Sequence, residues 1–174
     1  MGIGANFWNK QSNTDELESG SEPGYFLYAA LIHEYNSQFR SEAELLYRRD
    51  KIHGINNPDE GKKSTGDGNV LTGTGLFANG SYELYSRRGF RPYVMAGIGV
   101  LTLAVDDKNN AENPLNDDGI TYGIQIGMGA RYKLGDAVNL SLNARYLKSK
   151  PVTLDGLKTE YDTSSLAFAV EYRF

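Results

Sequence analysis

Apolar and polar residues alternate strictly along the C-terminal segment SSLAFAVEYRF. Large apolar side chains occupy every second position, and small or charged side chains lie between them. A period of two is typical of a β-strand with one apolar face and one polar face. Such a strand turns its apolar face either inward to a soluble core or outward to lipid. The apolar positions are Leu166, Phe168, Val170, Tyr172 and Phe174.

Alternating segments of this kind recur along the whole chain and predict eight strands. They lie at about 2–9, 24–35, 39–49, 70–85, 90–105, 119–134, 138–148 and 161–174. Three short connections, NSQ, SRRG and GDA, are turn-like. They alternate with long polar connections at about 10–23, 50–69, 106–118 and 149–160. In an up-and-down meander, this order places every long loop at one end and the short turns, with both termini, at the other.

Segregated loop lengths are typical of outer-membrane barrels, which have short periplasmic turns and long external loops. A soluble sandwich gives no reason for this segregation; a soluble lipocalin-like binder is the structural alternative. We therefore predict an all-β fold, an eight-stranded antiparallel up-and-down transmembrane β-barrel, as a single domain over residues 1–174. The four long connections are its predicted external loops.

Aromatic residues mark both edges of the predicted membrane band. Tyr25 and Tyr35 share one face of the second strand, and Tyr122 and Tyr132 share one face of the sixth. Ten residues at ~3.3 Å each and a tilt of ~40° span about 25 Å along the axis, the height of an apolar band between aromatic girdles. Core aromatics are the alternative interpretation. The predicted girdle residues are Phe7, Tyr25, Tyr35, Phe39, Tyr47, Phe90, Tyr122, Tyr132, Tyr146, Tyr172 and Phe174.

Composition narrows the class of protein further. No apolar run reaches the ~18 residues of a membrane helix, and a net charge of -4 argues against a nucleic-acid partner. The chain has no Cys and only two His, so we expect no disulfide, no thiolate chemistry, no metal and no cofactor. The N-terminal MGIGANFWNK lacks the features of a signal peptide, so we expect the mature form of an exported chain.

The segments RPYVMAGIGV, GIQIGMGARYKL and SSLAFAVEYRF resemble the OmpA and opacity-type family of small outer-membrane barrels. The resemblance covers essentially the whole chain as a pattern. A bacterial outer-membrane location makes outer-membrane lipid and lipopolysaccharide the expected surroundings. In such families the barrel assembly machinery reads the C-terminal strand, which implies that role for Leu166, Phe168, Val170, Tyr172 and Phe174.

The polar faces of the strands would place charges of both signs inside the barrel. An eight-stranded interior is just wide enough for side chains, so isolated ions are costly there and paired ions are tolerated. Strands three and seven lie opposite each other, so we predict an ion pair between Arg145 and Glu42 or Glu44, with Arg131 as a competing partner. It resembles the buried pairs discussed as a gate in the OmpA barrel; a closed, stiffened core is the alternative. The predicted network is Arg40, Glu42, Glu44, Arg131, Arg145, Glu171 and Arg173.

Catalysis has little support in the sequence. Some eight-stranded outer-membrane barrels resemble enzymes that act on lipid A, and these need a nucleophile beside a base. A lipid A deacylase is expected to have His and Ser two residues apart, and neither His33 nor His53 has such a Ser. We therefore expect no catalytic residue. The connection 106–118 is rich in oxygen ligands but lacks the spacing of a calcium loop, so we expect a solvated loop there.

Exposed loops on a rigid scaffold commonly carry binding. We expect a monomeric surface-exposed scaffold whose long loops mediate surface interaction or adhesion with a host or extracellular ligand. The alternative is a narrow porin-like or gated channel for ions or small solutes, and a third hypothesis is a lipid A-modifying enzyme.

Overall fold

The computed structural model describes residues 2–8, 24–56, 63–106, 116–154, 157–159 and 162–172. Eight antiparallel strands close into a barrel in the order β1-β10-β7-β6-β5-β4-β3-β2, and β8 pairs with β9 outside it. The described ranges hold no helix that is both long and apolar enough to cross a membrane. The strands are β1 Gly2–Trp8, β2 Gly24–Glu34, β3 Phe39–Asn56, β4 Lys63–Glu83, β5 Phe90–Asp106, β6 Asn116–Lys133, β7 Val138–Ser149, β8 Val152–Leu154, β9 Leu157–Thr159 and β10 Asp162–Tyr172.

The side-chain phase of the barrel agrees with the alternation in the sequence. On β10, Leu166 and Phe168 are each 47% exposed, whereas Ala167 and Ala169 between them are buried. This is the reverse of a soluble protein, since large apolar side chains cover the outer wall and polar ones fill the inside. The predicted eight-stranded up-and-down barrel is therefore confirmed.

Three short turns join the strands at the end of the barrel that is predicted to be periplasmic. After β2, the backbone N–H groups of Gln38 and Phe39 donate to the Asn36 side-chain oxygen, at 2.9 and 2.7 Å. After β4, Arg88 and Gly89 both have positive φ, 52° and 84°. Two consecutive positive φ values match the twist of a tight hairpin, and a glycine adopts them at no steric cost. The turn after β6 carries an ion pair between Lys133 and Asp136 at 2.9 Å.

The other end of the barrel differs from the prediction in its strand boundaries. The connection 50–69 is largely strand, because the β3–β4 ladder continues to the pair Asn56 and Lys63, with irregularities around His53. Backbone hydrogen bonds hold such an extension without apolar side chains, so the hydropathy pattern does not reveal it. The β5–β6 ladder likewise enters 106–118, and the β8–β9 hairpin lies within 149–160. The connection 10–23 falls outside the described residues.

The described strands of the barrel differ in length. Strands β3 to β6 contain 18, 21, 17 and 18 residues. Strands β1, β2, β7 and β10 contain only 7, 11, 12 and 11. Since the short turns align the strands at one end, the extra length of β3 to β6 lies at the other end, which is predicted to be extracellular. Among the described residues, β3 to β6 therefore extend furthest in this direction.

Candidate functional site in the barrel lumen

The lumen has a charged half toward the periplasm and, toward the cell exterior, a mainly apolar half that also buries Arg48 and Asp50. Inward positions of β3 alternate Arg40, Glu42 and Glu44, and all three side chains are buried. They lie on one face because residues two apart along a strand point the same way. Buried ions of this kind are tolerated only when each meets an opposite charge or a hydrogen-bond partner.

Arg131 on β6 lies at the centre of the charged half. Its Nη2 donates to Glu42 Oε1 and its Nε donates to Glu171 Oε1, both at 2.9 Å. The Ser81 hydroxyl accepts a further hydrogen bond from Nη2 at 3.2 Å. The guanidinium lies over the Tyr93 ring, 3.7 Å from its centroid, which adds a cation–π contact. One side chain thereby joins β3, β4, β5 and β10 across the lumen.

Arg40 closes the periplasmic end of the same network. Its guanidinium lies 2.9 Å from Glu34, 3.0 Å from Glu83 and 3.3 Å from Glu171. Arg91 approaches the same Glu83 carboxylate at 3.5 Å. The five planar donors of an Arg side chain suit such shared recognition of several carboxylates.

Arg145 forms a separate contact across the barrel at mid-height. Its Nη1 lies 2.6 Å from Glu44 Oε2 on the opposite strand, β3. Its Nε donates to Asn143 at 2.7 Å, and its guanidinium covers the Tyr28 ring at 4.2 Å. Gln125 donates to the other Glu44 oxygen at 3.3 Å. The Glu44 carboxylate therefore has a partner on each of its oxygens.

The structure shows which carboxylate pairs with which arginine, a choice that the sequence left open. Glu44 faces Arg145, and Glu42 faces Arg131. Residues two apart on a strand are about 6.6 Å apart, so the two carboxylates reach different guanidinium groups. Arg40 and Glu171 join the Arg131 cluster. Arg173 falls outside the described residues.

Some atoms of the charged half have no hydrogen-bond partner. Among the described residues these include Arg131 Nη1 and Glu83 Oε1, which face each other at 3.6 Å. That distance is too long for a direct hydrogen bond, but it keeps the opposite charges adjacent. A cavity of about 20 Å³ nearby is lined by Tyr28, Glu42, Tyr93, Arg131, Arg145 and Glu171, among others. It has room for about one water molecule.

The apolar half was not predicted from the sequence. Its inward side chains are fully or almost fully buried: Phe26, Leu46, Leu71, Phe77, Leu101, Leu103 and Leu147. The signal is present in segments such as VLTLAV at 100–105, where both strand faces are apolar. In such a run the hydropathy pattern does not show which face points inward, because apolar and polar residues no longer alternate. The barrel is therefore sealed by a small hydrophobic core near its extracellular end.

Aromatic side chains occupy both edges of the outer wall. Tyr146 is half-buried and its hydroxyl donates to Asp162 at 3.2 Å. Exposed Tyr82 and Tyr85 were missed, although Tyr82 shares the outward phase of Leu76. The side chains of Phe7 and Phe174 lie outside what the structure describes. The predicted girdle residues with exposed side chains are Tyr25, Tyr35, Phe39, Tyr47, Phe90, Tyr122, Tyr132 and Tyr172.

The C-terminal strand presents its predicted assembly face to the outside. Leu166, Phe168, Val170 and Tyr172 are 45–68% exposed and lie in one row along β10. This row is accessible to another protein or to lipid. Recognition by the assembly machinery stays a prediction.

A closed, lipid-facing barrel of eight strands with paired ions inside is the arrangement of a small outer-membrane protein. The chain belongs to the family described as outer membrane protein beta-barrel domain, whose match covers residues 1–174. The protein is thus a bacterial outer-membrane protein, as the resemblance to OmpA and opacity-type barrels implied. No curated protein matches the sequence.

Solved structures share the fold at low sequence identity. Neisserial surface protein A, NspA, has a TM-score of 0.63 at 14% identity and covers 99% of this chain and 93% of its own. The outer membrane enzyme PagL has a TM-score of 0.55 at 15% identity, covering 96% of each chain. Ail of Yersinia pestis, solved with the heparin analogue sucrose octasulfate, has a TM-score of 0.52 at 12% identity over 99% and 95%. These likenesses concern the fold alone.

Proposed function

We propose that this protein is a non-enzymatic surface scaffold with a closed lumen, and that its tall β3–β4 hairpin and external loops bind ligands outside the cell. The observation that carries the proposal is the height of that hairpin. The ladder continues from Tyr47, in the outer girdle, to Asn56 at the end of β3. Nine further residues at ~3.3 Å each and a tilt of ~40° reach about 20 Å beyond the girdle.

A paired hairpin of this length suits ligand binding. Its backbone is held by ladder hydrogen bonds, so little conformational entropy is lost when a ligand binds. The barrel wall anchors it rigidly, which is how loops on scaffolds usually present binding residues. The Ail structure holds a polyanionic saccharide analogue, and heparin is accordingly a suitable first probe for this chain.

The test is adhesion of bacteria that display the full chain. Cells carrying it should bind cultured epithelial cells or heparin-coated beads above an empty-vector strain. Replacing residues 53–66 with a two-residue Asn-Gly turn should abolish that binding. Replacing 107–115 in the same way tests a second predicted external connection and should weaken binding less than loss of the hairpin does. Heat-dependent gel migration reports that each variant still folds. Equal binding by the shortened hairpin, or none by the full chain, would reject the proposal.

The lumen supports a scaffold rather than a pore. Apolar side chains, together with the buried Arg48 and Asp50, fill its extracellular half, and paired ions fill the rest around a cavity of about 20 Å³. A conducting pathway needs a continuous column of water, for which close side-chain packing leaves no room. The channel hypothesis is tested through Arg145 in the Discussion.

The surroundings of His33 support a non-enzymatic protein. Register places Ser41 directly opposite it, a cross-strand pair that spacing along the chain did not reveal. The Ser41 hydroxyl donates to the Tyr35 hydroxyl at 3.4 Å, and the Tyr35 ring lies edge-on to the imidazole. A nucleophile needs its proton directed to the base. The lipid A of cells expressing the chain should have an unchanged mass spectrum, and a lost acyl chain would contradict this.

A further inference from the structure

A groove crosses the lipid-facing wall of the barrel through six adjacent strands, β2 to β7. Its two banks are rows of outward side chains, and its floor is the backbone between them. Cross-strand pairing defines one bank as Leu31, Ala43, Ala78, Ile98, Ile124 and Lys148. The other bank runs in parallel from Ala29 to Lys150. We name this feature the wall groove.

The wall groove is wide because its banks contain small residues. Ala43 and Ala78 are direct cross-strand partners in the middle of one bank. Larger neighbours project on both sides, with Leu76 at 60% and Ile98 at 67% exposed. The groove is open toward lipid and has a volume of about 1100 Å³.

The wall groove rises toward the extracellular surface. Six strands about 4.8 Å apart give it a length of about 24 Å, and the tilt of the strands lifts one end about 15 Å above the other. Its low end is Leu31, three residues from the periplasmic end of β2. Its high end is Lys148, one residue from the extracellular end of β7.

The high end is cationic, whereas the rest is apolar. Lys148 and Lys150 face outward beside the girdle residue Tyr122. Lys148 Nζ lies 3.7 Å from Asp162 Oδ2, so the carboxylate partly neutralises this lysine. Lys150 is exposed. The backbone of Lys150 is fixed, since its N–H donates to Tyr122 and its carbonyl accepts from Thr121, both at 2.8 Å.

We propose that the wall groove binds lipid A, with an acyl chain along the apolar rows and a phosphate at Lys148 and Lys150. An apolar track that ends in two lysines at the outer interface is complementary to an anionic headgroup joined to a hydrocarbon chain. Lipopolysaccharide forms the outer leaflet of a bacterial outer membrane, and its lipid A carries phosphates beside its acyl chains. Membrane phospholipids occupy the opposite leaflet, away from this end of the groove.

The first test is native mass spectrometry of the refolded full chain in detergent, titrated with purified lipid A. Each basic residue at a membrane surface contributes about fivefold in affinity. Lys150→Gln should therefore weaken binding about fivefold, and Lys148→Gln somewhat less, because Asp162 partly neutralises Lys148. Lys133→Gln at the periplasmic end is the matched control and should bind normally. Equal weakening by all three variants, or none by any, would overturn the proposal.

The second test separates the apolar track from the lysines. Ala78→Phe fills the wall groove, and Ala96→Phe adds the same ring to the outer wall elsewhere; both face lipid and leave the lumen intact. We expect at least a tenfold loss of lipid A binding with the first variant and none with the second. Phosphatidylglycerol binding as tightly as lipid A would show a general anionic-lipid surface and overturn the assignment. A dimer abolished by Ala78→Phe would assign the groove to a second copy of the chain instead.

Discussion

The two halves of the lumen are filled by different interactions, one mainly by ion pairs and the other mainly by apolar packing. In the periplasmic half, Arg131 and Arg40 join carboxylates from four strands by distances of 2.9 to 3.6 Å. In the extracellular half, leucine and phenylalanine side chains pack around two buried charges, Arg48, which lies 5.5 Å from the Phe26 ring centroid, and Asp50. Ion pairs are directional and fix which strand faces which, whereas apolar packing excludes water over a wider range of arrangements. We infer that the charged half specifies the barrel and the apolar half seals it.

Removing Arg145 should give the largest effect. Arg145→Ala leaves the fully buried Glu44 without its guanidinium, and breaking a buried pair costs about 4 kcal/mol. Urea unfolding of the protein refolded in vesicles measures this loss. The double variant Arg145→Met with Glu44→Leu should recover much of it, because two apolar side chains leave no unpaired charge. A loss below about 1 kcal/mol would contradict the pairing.

Conductance of the same variant separates the roles of the two halves. The wild-type protein and Arg145→Ala should both be silent in planar bilayers, since the leucine core lies between the Arg145 site and the exterior. Unitary steps in Arg145→Ala would show that the ion pair is the seal and would reverse the comparison.

A cavity in the apolar half should cost slightly less. Leu103 is completely buried, and Leu103→Ala should lower the free energy of unfolding by about 3 kcal/mol. Combined with Arg40→Lys in the charged half, the two losses should add, because the sites share no partner. Urea unfolding of both single variants and the double variant measures the sum. A clear departure from additivity would mean that the halves form one cooperative core.

The fold was predictable because the membrane acts on every strand residue. Each outward position meets lipid and each inward position meets the lumen, so alternation along β10 or β6 locates the strand and its phase. Turn chemistry at Asn36 and at Arg88–Gly89 is similarly local. The extension of β3 to Asn56 was not predictable in this way, since backbone pairing beyond the membrane leaves no hydropathy signal.

The site was predictable in composition and less so in detail. Opposite positions of β3 and β7 follow from the meander, so an ion pair from Arg145 to Glu42 or Glu44 was expected. The choice between them depends on the stagger of strands around the barrel, which no local pattern reveals. The leucine core was hidden because segments such as 100–105 are apolar on both faces. The His33 and Ser41 pair likewise depends on register.

A conservative change in the charged half should have a smaller effect. Arg40→Lys keeps the charge beside Glu34, Glu83 and Glu171 but loses the planar fork that contacts all three. We expect a loss of about 1 to 2 kcal/mol in urea unfolding, about what one or two charge-assisted hydrogen bonds contribute. No loss would show that the charge alone matters here. A loss of unfolding free energy as large as that of Arg145→Ala would show that the contacts of Arg40 at the periplasmic end matter as much as the Arg145 pair.

The smallest effect should come from the one described turn that carries its own ion pair. Lys133 donates to Asp136 at 2.9 Å, which lowers the pKa of the Asp136 carboxyl below its ordinary value of 3.8. Any stabilisation by this charge is therefore present at neutral pH and is lost as the pH falls through that lowered pKa. Both groups are solvent-exposed, so Asp136→Asn should unfold within error of the wild type at pH 7. Carboxyl NMR shifts followed against pH in micelles check the direction of the pKa change. Titration of Asp136 at or above its ordinary pKa would show that the ion pair does not persist in solution. A clear loss of unfolding free energy in Asp136→Asn would show that the charged contacts that specify the barrel extend into its periplasmic turns.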